Sequence, residues 1–183
     1  MNNIFTDTRL RSEIRQGLAK IGFTKPTPVQ EKVIPAMLKG ESVIVQAATG
    51  SGKTHAYLIP ILNAIDEDAR YVQAIVTAPS RELADQLYRV ARQLRDNSGL
   101  NIVIAHLAGG SDRDRQIARF EQNKPQLVIA TPGRLLDFAD KKILLLDQVK
   151  NFVIDEADMT LDLGFLADVD KIAARLPKDV VMS

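Results

Sequence analysis

Short apolar runs alternate along the chain with longer segments in which apolar residues recur every three or four positions. The short runs are rich in β-branched residues and predict strands at 43–45, 74–77, 101–104, 126–129, 151–154 and 180–181. Nearly every position in them is apolar, which is typical of strands covered on both faces. The longer segments predict helices at 10–21, 27–38, 81–95 and 161–176. This alternation favours an α/β fold with a mostly parallel central sheet and helices on both faces.

The 183 residues suit one domain, 1–183, and a content of 45% apolar and 26% charged residues is ordinary for a globular protein. A formal net charge of +1 gives no sign of a nucleic-acid partner, and the small basic surplus between Arg81 and Arg134 fits a solvated helix face equally well. The absence of cysteine excludes disulfides and thiol catalysis. We expect a cytoplasmic protein, because no secretory signal is visible and the apolar runs are too short to cross a membrane.

A glycine-rich loop follows the first apolar run and precedes an apolar helical pattern. Backbone N–H groups can turn around an anion in such a loop, and the next helix directs its positive dipole end at the same anion. We expect Lys53 to reach the outer phosphates of a nucleotide and Thr54 to ligate Mg²⁺. A plain glycine-rich turn is the alternative. The predicted nucleotide-binding residues of the loop are Ala48, Thr49, Gly50, Ser51, Gly52, Lys53 and Thr54.

An acidic string, Asp-Glu-Ala-Asp at 155–158, comes directly after the apolar run 151–154. Carboxylates at the end of a buried strand repel one another unless a cation or polar partners share the site. Asp155 suits Mg²⁺ coordination, directly or through water, and Glu156 suits the orientation of an attacking water. The alternative is a solvated acidic turn that caps the next helix. Together with the phosphate loop, the string favours phosphoryl transfer to water, with Lys53, Asp155 and Glu156 as catalytic residues.

These two motifs together resemble those of the DEAD-box helicases of superfamily 2. The general phosphate-loop pattern begins with glycine, whereas this chain has Ala47, and alanine is usual at this position in that family. The resemblance implies a RecA-like P-loop NTPase domain that uses ATP or ADP with Mg²⁺. It also implies that the segment 22–30 recognises adenine. In that family a glutamine binds the adenine edge and an upstream aromatic residue stacks on the base; Gln30 and Phe5 hold those positions here, and Lys25 lies in the same segment. From the residues alone, Gln30 could be an ordinary helix residue and Phe5 a core residue.

Three further segments resemble the family's RNA-contacting motifs, and each follows a predicted strand. Their hydroxyl, backbone N–H and guanidinium groups suit contacts with phosphate and sugar, which depend little on base identity. From the residues alone, a helix-entry turn, a glycine loop and solvated arginines explain them equally well. The residues that the resemblance assigns to RNA are Pro79, Ser80, Arg81, Gly110, Thr131, Gly133 and Arg134.

The sequence departs from the family pattern in two places. Met159 and Thr160 stand where the family commonly has a charged and then an aliphatic residue. In the second place, the residues 180–183 supply only the serine of the family's Ser-Ala-Thr motif, Ser183. This motif and Asp158 are expected to couple ATP hydrolysis to RNA unwinding. A second RecA-like domain, which carries the arginine finger and half of the RNA groove, would follow this motif.

The resemblance therefore implies the ATP-binding domain of an ATP-dependent RNA helicase, whose full-length form hydrolyses ATP to unwind or remodel RNA. The partners implied are RNA and the second RecA-like domain, with no membrane. Alone, this chain is expected to be a nearly inactive ATPase. A superfamily 2 motor that acts on DNA and a scaffold switched by nucleotide are the alternatives. His55 and His106 are interpreted as structural.

Overall fold

The computed structural model describes residues 3–182 and contains a five-stranded parallel sheet with the strand order β2-β3-β1-β4-β5. The predicted α/β architecture is confirmed. Each connection between consecutive strands carries at least one helix, as parallel pairing requires. The strands are β1 (Ala74–Thr77), β2 (Ile104–Leu107), β3 (Leu127–Ala130), β4 (Asn151–Ile154) and β5 (Val181–Met182).

Several helices begin where a capping residue satisfies their first N–H groups. At one of them Thr27 and Gln30 form a reciprocal capping box, and at another Ser80 Oγ accepts from the Leu83 N–H. A short 3₁₀ helix precedes them at Ile4–Thr6. The helices are α1 (Ser12–Lys20), α2 (Pro28–Leu38), α3 (Lys53–Ala64), α4 (Arg81–Ser98), α5 (Arg113–Asn123), α6 (Pro132–Asp140), α7 (Ala157–Asp162) and α8 (Leu166–Ala173).

The two faces of the sheet belong to two separate apolar cores, because successive side chains of a strand point to opposite faces. Val76 faces the core that contains residues of α1 to α4, whereas Ile75 faces the core formed with α5, α6 and α8. Both side chains are completely buried. All four residues of β1 and all four of β3 are buried, and every one of them except Thr77 is apolar.

The strand prediction at 43–45 is wrong for the described structure, in which this segment is irregular. Its one backbone bond to the sheet runs from the Val43 N–H to the Met182 carbonyl, 3.0 Å away. Ile44 is fully exposed despite its high strand propensity.

The predicted helix at 161–176 is two helices, and the strand predicted at 101–104 lies three residues later in the chain. Gly164 has φ +80 and separates α7 from α8. Leu161, the first apolar residue of the predicted helix, is 52% exposed, whereas Val169 and Ile172 of α8 are buried. The apolar spacing continues across the interruption between the two helices, and spacing alone does not reveal such an interruption.

Candidate nucleotide and RNA site

The predicted site residues that follow strands lie at the carboxyl edge of the sheet, because every strand pair is parallel. β1 leads into Pro79 and Ser80, β3 into Thr131, and β4 into Asp155 and Glu156. Ligands of open α/β sheets bind at this edge, where loops and helix N-termini converge.

The phosphate loop ends at the N-terminus of α3, which begins at Lys53. Gly50 and Gly52 have φ values of +81 and +89, a left-handed conformation that side-chain-bearing residues rarely adopt. Ala48 and Thr49 are exposed, and the Ala48 carbonyl accepts from the Ser51 N–H at 3.2 Å. The Ser51 hydroxyl is buried without a hydrogen-bond partner among the described residues. An unsatisfied hydroxyl beside a helix N-terminus fits a phosphate oxygen as the missing acceptor.

Gln30 braces this loop from the neighbouring helix α2. Its side chain is 3% exposed, and its Oε1 accepts from the Thr27 N–H at 3.0 Å. Its Nε2 donates to the Gly52 carbonyl at 3.2 Å. A Cβ added at Gly52 would lie 2.6 Å from the same Nε2. Gln30 therefore contacts the phosphate loop directly, although 22 positions separate it from Gly52 in the sequence.

Lys53 of the phosphate loop and Glu156 of the acidic string meet across the site. Lys53 Nζ lies 3.8 Å from Glu156 Oε1, and both side chains are partly exposed. Glu156 has φ +51, one of three non-glycine residues in this region of backbone space within residues 3–182. Non-glycine residues in this conformation are strained and occur preferentially at functional sites. The turn directs Glu156 away from the strand axis at the point where α7 begins.

Asp155 lies deeper than Glu156 and is held by its surroundings. Its Oδ2 accepts from the Tyr57 hydroxyl at 3.2 Å, and its Oδ1 accepts from the Glu156 N–H at 3.2 Å. Burial, and then the negative charge of Glu156, raises the pKa of the Asp155 carboxyl, whereas Tyr57 and Lys53 oppose the rise. A carboxylate in this setting gains from a cation placed beside it.

The residues fit a Mg²⁺ ion that is shared with a nucleotide. Among residues 3–182, no group of three or more histidine, aspartate or glutamate side chains is arranged to hold a metal by itself. Mg²⁺ commonly takes one or two protein oxygens and completes its octahedron with phosphates and water. A hydroxyl from Thr54 and a carboxylate from Asp155, beside a phosphate-binding loop, supply such a set.

Phe5 and Lys25 occupy different settings from each other. Phe5 is only 4% exposed and packs against Phe23, with 5.6 Å between ring centroids. Phe23 in turn meets the ring of His55 on α3 at 4.6 Å. Lys25 is exposed on the loop before α2. Phe5 is thus part of the core that supports the phosphate-loop helix, and its stacking on a base stays a prediction.

The predicted RNA residues line a shallow groove of about 500 Å³ at the same edge. The Arg81 side chain crosses the glycine pair, since a Cβ on Gly110 would lie 2.6 Å from its Nη1. Gly109, rather than Gly110, lines the groove itself. The predicted residues that line it are Pro79, Ser80, Arg81, Thr131, Gly133 and Arg134.

Sequence reasoning missed two residues of α5, Arg113, which lines the groove, and Gln116, which binds the groove residue Arg134. Gln116 Oε1 accepts from Arg134 Nη1 at 2.7 Å, and its Nε2 donates to the Ala108 carbonyl at 3.1 Å. Arg113 also lines the groove and pairs with Asp137 at 2.7 Å. The signal that could have found Gln116 is its place on a helix that begins just after the glycine pair.

Of the two residues predicted to couple domains, Asp158 is exposed in the first turn of α7, where its Oδ1 accepts from the Met159 N–H at 2.9 Å. Ser183 lies outside the described residues. Among residues 3–182, no helix has the length and apolarity needed to cross a membrane.

Known proteins are similar in sequence to most of this chain. A sequence model of the DEAD/DEAH box helicase family matches residues 27–183. The chain is 47% identical over 168 residues to the DEAD-box ATP-dependent RNA helicase CshB of Listeria monocytogenes, covering 91% of this chain and 38% of that protein. It is 45% identical to CshB of Bacillus subtilis, covering 94% of this chain and 40% of that protein. The chain belongs to the DEAD/DEAH box helicase family and spans about two fifths of the length of these relatives.

Solved structures agree with the fold. A DEAD box protein from Methanococcus jannaschii superposes with a TM-score of 0.89 at 37% identity, over 98% of this chain and 48% of that one. A variant of Dbp5 from S. cerevisiae, solved with RNA and ADP BeF3, superposes with a TM-score of 0.88 at 30% identity, over 99% of this chain and 45% of that one. The predicted RecA-like α/β domain is confirmed.

Proposed function

We propose that this chain is the ATP-binding half of an ATP-dependent RNA helicase, and that the full-length protein hydrolyses ATP to unwind or remodel RNA. The observation that carries the proposal is the approach of Lys53 Nζ to Glu156 Oε1, 3.8 Å apart at the carboxyl edge of the sheet. It brings the phosphate loop and the acidic string into one site, as phosphoryl transfer requires. Similarity to proteins named ATP-dependent RNA helicases supports the choice of reaction.

In the proposed site, the phosphate loop binds the phosphates of ATP or ADP, and Lys53 neutralises the outer ones. Arriving phosphates compete with Glu156 for the Lys53 ammonium group, so the carboxylate is released to orient the attacking water. Thr54 and Asp155 would hold Mg²⁺, partly through water, and the bound ion would neutralise charge that develops on the phosphates.

Adenine recognition is assigned to the segment before α2. The Gln30 amide has two N–H donors and two acceptor lone pairs, and its contacts with Thr27 and Gly52 use one of each. One N–H and one lone pair of the amide therefore remain, and these match the amino group and a ring nitrogen of adenine. Lys25 adds a cation at the same end. The stacking role of Phe5 rests on the family resemblance alone, because its ring is buried.

RNA is proposed to lie along the groove that contains Arg81, Arg113 and Arg134. The groove offers guanidinium groups, hydroxyls and the N-termini of α4 and α6, which suit phosphates rather than base edges. Binding should therefore depend little on RNA sequence and should weaken steeply as salt rises.

The rest of the full-length protein is proposed to supply a second RecA-like domain that closes over the nucleotide and the RNA. Its arginine finger would add roughly 10³–10⁵ in rate, judged from related phosphoryl-transfer enzymes. This chain alone should therefore bind nucleotide and hydrolyse ATP very slowly. A cytoplasmic location stays a prediction from the sequence.

The test measures fluorescent ADP and GDP binding to this chain, in Mg²⁺, for wild type and Gln30→Ala. The expected result is a preference for ADP that Gln30→Ala abolishes. The ratio of the two affinities is the readout, because loss of the contact with the phosphate loop would weaken both nucleotides together. Gln93→Ala, which truncates an exposed glutamine on α4, is the matched control and should leave the ratio unchanged.

Two results would count against parts of the proposal. Equal affinity for ADP and GDP in the wild type would leave a generic phosphate-loop protein. For the full-length protein, stimulation of ATP hydrolysis by DNA but not by RNA would favour the DNA-acting motor. Nucleotide binding with no polynucleotide-dependent hydrolysis would favour the switched scaffold.

A further inference from the structure

Tyr57 connects the apolar core to the acidic end of β4. It lies on α3 one turn after Thr54, and its side chain is 6% exposed among the buried residues of the core that α1 to α4 share. Only its hydroxyl leaves this apolar setting, and it donates to Asp155 Oδ2 at 3.2 Å. The two residues are 98 positions apart, so this contact exists only in the folded domain.

The core needs the ring of Tyr57 but has no need for its hydroxyl. A phenylalanine would fill almost the same volume, whereas a buried hydroxyl costs stability unless it finds a partner. A phenol carries its proton at neutral pH, since its ordinary pKa is about 10. The hydroxyl is therefore a donor to the carboxylate.

Both carboxylate oxygens of Asp155 accept hydrogen bonds, one from the acidic turn and one from α3. Oδ1 accepts from the Glu156 N–H at the start of the acidic turn, and Oδ2 accepts from Tyr57 within α3. The backbone N–H of Asp155 donates to the Thr77 carbonyl at 2.9 Å, which continues the pairing of β4 with β1. The backbone and the carboxylate are thus both fixed, with one acceptor lone pair still free on each oxygen.

We propose that Tyr57 is a positioning residue for Mg²⁺-nucleotide binding, whose hydroxyl orients the Asp155 carboxylate from within the core. This inference rests on the proposed function, since it assigns to Tyr57 a part in the Mg²⁺ site of Thr54 and Asp155. A partner that orients a metal ligand typically changes metal affinity or activity by about 10- to 100-fold when it is removed. We expect the lower end here, because Asp155 is proposed to bind Mg²⁺ partly through water.

The decisive substitution is Tyr57→Phe, which removes one oxygen and leaves the ring in the core. Binding of fluorescent ADP is measured first in EDTA and then across a Mg²⁺ titration. The expected result is unchanged affinity in EDTA and a midpoint of the Mg²⁺ titration raised about ten-fold. Tyr88→Phe is the matched control, because the Tyr88 hydroxyl makes no hydrogen bond among residues 3–182, and it should leave the midpoint unchanged.

The Asp155→Asn background separates positioning from simple stabilisation. There, Tyr57→Phe should add nothing to the Mg²⁺ midpoint, because the charged ligand that it orients is already gone. A midpoint equal to that of the wild type in Tyr57→Phe, or a shift of the same size in the Asp155→Asn background, would overturn the inference and leave the proposed function standing. Failure of the wild-type chain to bind ADP at all would instead overturn the proposed function.

Discussion

Gly52→Ala tests whether the phosphate loop is packed against Gln30 as tightly as the structure indicates. Gly52 caps α3 with φ +89, and a Cβ added there would lie 2.6 Å from Gln30 Nε2 and 3.0 Å from Thr27 Oγ1. The Gln30 amide is the end of a flexible side chain, but it is buried and is held by hydrogen bonds to Thr27 and Gly52. It can move aside only by giving these bonds up.

The expected loss of stability has two parts. Placing alanine in the left-handed region costs about 1–2 kcal/mol. Breaking the two hydrogen bonds of Gln30 costs about 0.5–1.5 kcal/mol each, or about 1–3 kcal/mol together. Gly52→Ala should therefore lower the free energy of unfolding by about 2–5 kcal/mol, the sum of the two parts.

Gly40→Ala supplies the matched control. Gly40 has φ +79, nearly the same conformation, but a Cβ there would meet nothing within 4 Å. Urea unfolding of both variants, followed by circular dichroism, should give a loss of about 1–2 kcal/mol for Gly40→Ala, and the difference between the variants isolates the contacts with Gln30 and Thr27. ADP binding should be weakened by Gly52→Ala and unaffected by Gly40→Ala.

Equal destabilisation by the two substitutions would refute the reasoning, because it would mean that Gln30 does not brace the loop. Rescue is a second check. In a Gln30→Ala background, the extra cost of Gly52→Ala over Gly40→Ala should fall by the part due to the amide, and the remainder belongs to the contacts with Thr27.

Two further predictions concern His106 and Gln116. Burial is the main cause that lowers the pKa of His106 below its usual 6.5, and the charge of Arg81 lowers it further. The charge of Asp85 opposes the shift; its Oδ1 lies 3.1 Å from His106 Nε2 but is not aligned for a hydrogen bond. As the pH falls, the His106 imidazole of the unfolded chain takes up a proton near pH 6.5, before that of the folded chain does. Urea unfolding should therefore show a loss of stability from about pH 7.5 to about pH 5.5, and His106→Gln should reduce that loss. An unchanged loss would show that His106 does not cause it. Gln116→Ala removes the hydrogen bond that holds Arg134, and it should weaken RNA binding at low salt by roughly 5- to 10-fold with ADP affinity unchanged. Fluorescence anisotropy measures the RNA affinity, with Gln93→Ala as the control. Equal RNA affinity in both variants would show that Gln116 does not position Arg134.

The fold class was predictable because burial on both faces leaves a plain mark on sequence. The residues of β1 and β3 are apolar at nearly every position, and the structure places strands at both runs. Prediction failed at 43–45 because a strand requires continuous backbone pairing with a neighbour, and within residues 3–182 this segment makes one backbone bond to the sheet. The break at Gly164 was missed because the apolar spacing of α7 continues into α8.

The sequence by itself predicted the chemistry, since a glycine loop with Lys53 and an acidic string with Asp155 and Glu156 can be recognised from residues that are close together in the chain. Only the tertiary structure decided which groups meet. The strand order places β4 beside β1, which sets Asp155 within reach of Tyr57, and the packing of α2 on α3 sets Gln30 against Gly52. These contacts join residues far apart in the chain, and their geometry depends on parallel pairing and helix packing that no local spacing encodes.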